Sequence, residues 1–459
     1  MAYVGLHNHT DRDSNLRLKD TIIKAKDLIK YSNELGHRGV AFTGHDGCQS
    51  HVKAITITKD LKAKGELAED FKTILGVEFY LVDRDVVMAK REVNERIDFY
   101  HLIVLAKNEL GHQALRILSS KSWENSFHYK GLERIPVYKD EFFDIVEHYK
   151  NDLIVCSACL GGELGKLSMR YLDSGDIEYK RQIHTFITQM VNTFGDNFYL
   201  ELQPSFQTDQ IEYNKFLLKL SKAYNIKAIV TNDSHYLKKD LKLYHHYFLN
   251  SKEGDRETED FYSSTYVMSE AEMIEYLKDY IDMDTIQQLF SNTIEIANKI
   301  SEYDLYQEVQ IPLANIEDFE LRHLFRDYYD TYPNIKNYAY SEHRIDRYFL
   351  YLIEKGFLEK GQEFNEVNIA RIEEELWTWW EISIKMRQQM SGYYVLTKEI
   401  IDEMWLYSFI GVARGSAAGS YCCYLLSITQ INPIKFNLPF FRHIHPSRAD
   451  MPKLYNWAV

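Results

Sequence analysis

Six short runs in the first 300 residues are dense in apolar, β-branched and aromatic side chains: GVAFTGH (39–45), TILGVEFYL (73–81), FYHLIVLA (99–106), DLIVCSAC (152–159), NFYLELQ (197–203) and KAIVTNDSH (227–235). Runs of this length and composition predict strands. The stretches between them space apolar residues as helices do, so strand and helix alternate and parallel βα units are expected. The predicted fold class is α/β. After Ile300 the strand signal fades, and EEELWTWWEISIKMRQQM and TKEIIDEMW carry a helical period instead. A mainly helical connector over 301–410 is therefore expected, with Trp377, Trp379 and Trp380 packing against other helices rather than stacking on bases, since aromatics serve chiefly for burial.

Composition adjusts this picture in three places. At 459 residues the chain exceeds one typical domain, so two or more are expected. No apolar run approaches the roughly 20 residues that span a bilayer, and the start, MAYVGLHNHT, lacks a basic stretch followed by an apolar one. A soluble, cytoplasmic protein without a membrane partner is expected, and five cysteines with no even framework suit a reducing compartment. The net charge of −14 speaks against a general grip on nucleic acid. Residues 411–459 depart from it: Arg414, Lys435, Arg442, Arg448 and Lys453 face the single acid Asp450.

Most of the predicted strands carry a side chain able to bind a metal. His7 and His9 form an H-x-H pair, whose period-2 spacing places both imidazoles on one face of an extended segment. His45 ends GVAFTGH, Glu78 lies in GVEFY, His101 in FYHLIVLA, Cys159 in CSACLGG, and Asp233 and His235 in TNDSHY. So many polar groups at strand ends would be costly to bury unless cations or mutual hydrogen bonds satisfied them. Mixed imidazole, carboxylate and thiolate donors suit zinc, manganese or iron.

In this order the motifs resemble the PHP (polymerase and histidinol phosphatase) domain of bacterial DNA polymerase III alpha subunits. The resemblance implies a distorted (β/α)-barrel over residues 1–300 and a centre of two or three divalent ions held by His7, His9, Asp20, His45, Glu78, His101, Cys159, Asp233 and His235. Asp11 and Asp13 stand near Asp20 as alternatives. The family often has Asp before the third-motif histidine, where this chain has Gly44. The activity implied is a metal-dependent 3′-to-5′ exonuclease or phosphoesterase.

Near the end, GVARGSAAGSYCCYLLSITQINPIKF resembles the start of the same polymerase family's palm. By that resemblance residues 411–459 are an incomplete palm segment in which Arg414, Gly415, Ser416, Gly419 and Ser420 contact a nucleotide triphosphate. The Asp-x-Asp pair expected to hold the polymerase's magnesium ions does not follow Pro452, where the sequence reads KLYNWAV. No catalytic residue for polymerisation is thus expected in this chain. DNA, nucleotides and a second polypeptide carrying the rest of the polymerase are the expected partners. The alternatives are a stand-alone metal-dependent phosphoesterase and a non-catalytic, metal-stapled scaffold.

Overall fold

A computed structural model describes residues 3–251, 261–306 and 310–448. The chain divides into two compact units, 1–306 and 307–459.

The first unit is built on an eight-stranded sheet. Its strands are β1 (Val4–Gly5), β2 (Gly39–Phe42), β3 (Lys72–Val82), β4 (Tyr100–Ala106), β7 (Val137–Tyr138), β8 (Leu153–Cys156), β9 (Phe198–Leu202) and β10 (Ala228–Val230), with the hairpin β5 (Phe127–Tyr129) and β6 (Leu132–Arg134) standing apart. The order is β1-β2-β3-β4-β8-β9-β10, with β7 on the end of β3. Helices fill the connections, as the alternation predicts. One strand departs from the parallel pattern: β4 pairs antiparallel with both β3 and β8. The sheet curls until its edges meet at a bridge between Asn8 and Ser234.

The period of two sorts side chains into outside and inside. Val77, Phe79 and Leu81 of β3, Leu102 and Val104 of β4, and Phe198, Leu200 and Leu202 of β9 face the helices in one large core. The alternate positions face inward and form two layers. The lower is apolar, with Ile74, Leu105, Ile154, Cys156, Tyr199 and Ile229 closed off by Ile296, Ala297 and Ile300 at the end of the helix Met283–Lys299. The upper layer, at the strand ends, is almost wholly polar. This arrangement puts a dry floor beneath the chemistry of the site.

The second unit has its own core. The helices Arg344–Glu359, Glu366–Met386 and Ser391–Tyr407 pack with the short helix Tyr421–Leu425, so the connector and the Gly/Ser-rich segment share one hydrophobic interior. Gly356 is required there, because any side chain would collide with the Leu425 carbonyl. Trp379 is fully buried and donates from its indole to Tyr394 Oη at 2.9 Å, whereas Trp377 is exposed. Asp450 and KLYNWAV lie outside the described residues. No helix among the described residues is long and apolar enough to cross a membrane.

Candidate metal centre

The nine side chains singled out in the sequence meet at the upper layer of the first unit. The Nε2 atoms of His7, His9 and His235 lie 3.2, 3.0 and 3.2 Å from one oxygen of Asp233. Glu78 lies at the middle: its Oε2 is 2.8 Å from His45 Nδ1, and its Oε1 is 2.7 Å from His101 Nδ1. Asp20 Oδ2 reaches His45 Nε2 at 3.0 Å, so Asp20 rather than Asp11 or Asp13 closes the group. Cys159 Sγ is 3.4 Å from His101 Nδ1. Three overlapping triads therefore have donor atoms close enough to share an ion: His7, His9 and Asp233; His9, His45 and Glu78; Glu78, His101 and Cys159.

Topology explains why a reversed strand still contributes. His101 lies at the beginning of β4, opposite Tyr80 in register, and because β4 runs against β3 its start is on the same rim as the other strands' ends. Among the rim residues, Ala158 (φ +60°) and Asp233 (φ +49°) adopt the left-handed region, as does Asp46 (φ +63°) beside His45. Such backbone costs about 1–3 kcal/mol outside glycine and persists at sites where the surroundings over-determine it. Here Ser157 N donates to Tyr199 O and Ser234 N to His7 O, flanking Ala158 and Asp233.

The electrostatics call for positive charge at the centre. Burial opposes ionisation throughout, yet Asp233 and then Glu201 hold His7 well above the usual histidine range. Asp20 and Glu78 likewise outweigh burial and push His45 up to about 10. His9, stacked against His45 and His235, is pushed down to about 3 by burial and by those two rings. Burial raises Asp20, Glu78 and Asp233, but the surrounding imidazoles overcome it and hold all three low. Both oxygens of Glu78, one of Asp20 and His235 Nδ1 are buried without a partner in hydrogen-bonding alignment. Close approach without alignment is what lone pairs converging on a common point produce, and the donor set fits divalent cations. Burial, with Asp233 and Glu78 beside it, pushes the Cys159 thiol well up, so a thiolate there needs a cation.

Three supporting residues have no motif to announce them. Glu201, on the inward face of β9, is 2.6 Å from His7 Nδ1 and also accepts from Thr231 Oγ1 at 2.6 Å. It fixes the imidazole so that Nε2 faces the cluster. His245 is buried and donates from Nε2 to the Asp20 carbonyl at 2.5 Å. Ser14 Oγ sits 3.0 Å from His9 Nδ1 and accepts from the His45 backbone N–H at 3.3 Å. The available signal was Glu201 itself, an acid in a strand whose neighbours are apolar.

In the second unit the five candidate nucleotide contacts do not share one environment. Arg414 and Gly415 are exposed and Ser416 is half-buried, while Gly419 and Ser420 are buried. Ser420 Oγ donates to Glu375 Oε2 at 2.7 Å, and the N–H groups of Tyr421 and Cys422 donate to the same carboxylate at 2.6 and 2.9 Å. At this helix start a buried glutamate takes the N–H groups of Tyr421 and Cys422, and of the five residues Arg414 and Gly415 are the exposed ones.

Comparison with known proteins agrees with both halves. The PHP domain matches residues 5–205, and the bacterial DNA polymerase III alpha NTPase domain matches residues 342–454. A DNA-directed DNA polymerase of Bacillus phage SPbeta is 40% identical over 98% of this chain and 36% of its own length. The DNA polymerase III subunit alpha of Campylobacter jejuni is 30% identical over 98% of this chain and 35% of its own, and that of Borreliella burgdorferi 28% over 98% and 34%. The chain spans about a third of the length of these relatives. The chain thus pairs a PHP domain with a segment of the bacterial DNA polymerase III alpha NTPase domain, and along nearly its whole length it is similar to DNA polymerase III alpha subunits.

Proposed function

We propose that the first unit hydrolyses phosphodiesters at DNA 3′ ends, using divalent cations held by His7, His9, Asp20, His45, Glu78, His101, Cys159, Asp233 and His235, as part of a replicative polymerase in the cytoplasm. The observation that carries this reading is Glu78, a buried carboxylate with imidazole nitrogens at 2.7 and 2.8 Å and no aligned hydrogen bond to either oxygen. When bound, zinc, manganese or iron supplies the Lewis acidity for attack of water on phosphorus. The chain's own groups do the rest. Glu201 keeps His7 in one tautomer, Tyr80 Oη lies 3.0 Å from His45 Nδ1 and steadies that ring, and the apolar layer below excludes water from the floor.

The second unit would take part in nucleotide contact through Arg414, Gly415 and Ser416, with Gly419 and Ser420 shaping the turn from inside. Polymerisation itself would need magnesium and carboxylates supplied by further polymerase sequence, on this polypeptide or a partner. The test is a 5′-labelled primer on a template, incubated with the protein and manganese. A ladder of shortened primers that disappears in His7→Ala/His9→Ala is expected; an intact primer with metal-loaded protein overturns the reading.

A further inference from the structure

The metal centre is closed on most sides and open on one. The side chains of His7, His9, His45, Asp20, Glu78, Asp233 and His235 are at most 5% exposed, whereas that of His101 is 26% exposed. The opening leads to a cavity of about 440 Å³, walled on the inner side by Tyr80, His101 and Gly161. The outer wall is basic: Arg17, Arg96, Lys130, Arg134 and Lys166 line it against one acid, Asp98. That balance runs opposite to the chain's net charge of −14.

The charges are poorly compensated. Arg17 is buried against Asp46 at 2.7 Å. Asp98 is already held by Arg170 at 2.7 Å and lies 3.9 Å from Arg96. Arg134 has a buried, unpartnered Nε, and burial together with the neighbouring Arg17 and Arg96 guanidiniums pulls it below the ordinary arginine value. Clustered guanidiniums that repel one another beside a phosphoesterase-type centre are stabilised by an anion. Three of the cations lie over rings, Arg17 over Tyr80 at 4.7 Å, Arg134 over Phe99 at 5.3 Å and Lys130 over Tyr129 at 5.8 Å, contacts that aim the cations and leave aromatic edges for a base.

We propose that this cavity seats a single-stranded nucleic-acid end, with backbone phosphates on Arg96, Lys130 and Arg134 and the next phosphodiester delivered past His101 to the metal centre. The volume accommodates an unpaired nucleotide and not a duplex. The proposal rests on the phosphodiester-hydrolysis reading for the fate of the strand, but binding is separable from cutting.

The test is fluorescence anisotropy of a labelled oligothymidylate of about eight residues with the full chain in EDTA, titrated with salt. In Arg96→Ala/Lys130→Ala/Arg134→Ala the affinity should fall roughly tenfold or more and the salt slope by about 2, at about 0.7 per phosphate contact. Arg96→Glu, at a side chain 85% exposed and so harmless to folding, should weaken binding by itself. Arg181→Ala, a helix-surface pair with Glu178, should change nothing. Wild-type affinity and slope in the triple variant overturn the proposal even if manganese-dependent cutting is present. Binding that depends on these cations, in a protein that never cuts, supports the cavity and overturns the hydrolysis reading instead.

Discussion

The carboxylate of Asp13 fills the space that a side chain at position 44 would need: a Cβ on Gly44 would run into Asp13 Cγ and both its oxygens. Asp13 accepts from Thr10 Oγ1 and Ser14 N at 3.0 and 3.1 Å and from the Ser50 hydroxyl. Ser14 in turn contacts His9 Nδ1 and the His45 backbone. A carboxylate from another segment thus occupies the space beside this histidine where the resemblance implies an acid at position 44. Gly44→Asp should overpack the site and place two buried carboxylates together, destabilising the first unit by about 3 kcal/mol. Asp13→Ala/Gly44→Asp should recover much of that loss in thermal melts; a double variant as unstable as the sum of its singles would refute the exchange.

Glu201 supplies the second prediction. Removing its charge while keeping its shape, in Glu201→Gln, leaves His7 with a neutral carbonyl oxygen in place of an anionic partner on Nδ1 and puts an amide N–H2 where the buried, unpartnered Oε2 lies. Partners of this kind are worth 10–100-fold in metal affinity. Metal titration with a competing chelator should show a loss in that range with the secondary structure intact, and an unchanged affinity would make Glu201 merely a core residue.

Much of the first unit is legible in the sequence because its information is local. Apolar runs mark β2, β3, β8, β9 and β10, and the chemistry-bearing residues stand at their ends, where period and motif coincide. The direction of β4 is not legible, since periodicity is the same read either way, and His101 is seen on the common rim only once the strand is known to be reversed. Glu201 and His245 escape for a related reason: their roles depend on contacts 194 and 225 residues away in sequence. In the second unit the partner of the glycine- and serine-rich helix start is not legible either, because Glu375 stands 45 residues earlier than Ser420.

Chelation should act on the first unit. Its cluster buries Asp20, Glu78 and Asp233 among imidazoles, and an ion present at about 100 times its dissociation constant stabilises the folded form by about 2.7 kcal/mol. Dialysis against EDTA should lower the melting temperature and speed amide exchange at residues 39–45 and 228–236, while peptides from 344–386 keep their protection. Re-addition of manganese or zinc should restore it. Equal protection with and without chelator would show that hydrogen bonds alone hold the cluster.

Glu375 gives the second unit a pH dependence whose sign can be worked out. Burial raises its pKa, and the N–H groups of Cys422 and Tyr421, the Ser420 hydroxyl and Arg371 oppose that rise without cancelling it. A carboxyl whose folded pKa lies above its unfolded one contributes stability that is complete below the unfolded value and is lost as pH rises through the folded value. Glu375→Ala leaves the Ser420, Tyr421 and Cys422 donors without an acceptor and removes the carboxylate 3.1 Å from Arg371 Nε, so a cost of about 3–5 kcal/mol is expected. Because the wild-type chain loses part of its advantage on ionisation, that cost should be largest near pH 4 and shrink toward neutrality in urea titrations followed by tryptophan fluorescence. A penalty that grows with pH would mean that the carboxylate is held below its ordinary range, and that the four donors around it outweigh its burial.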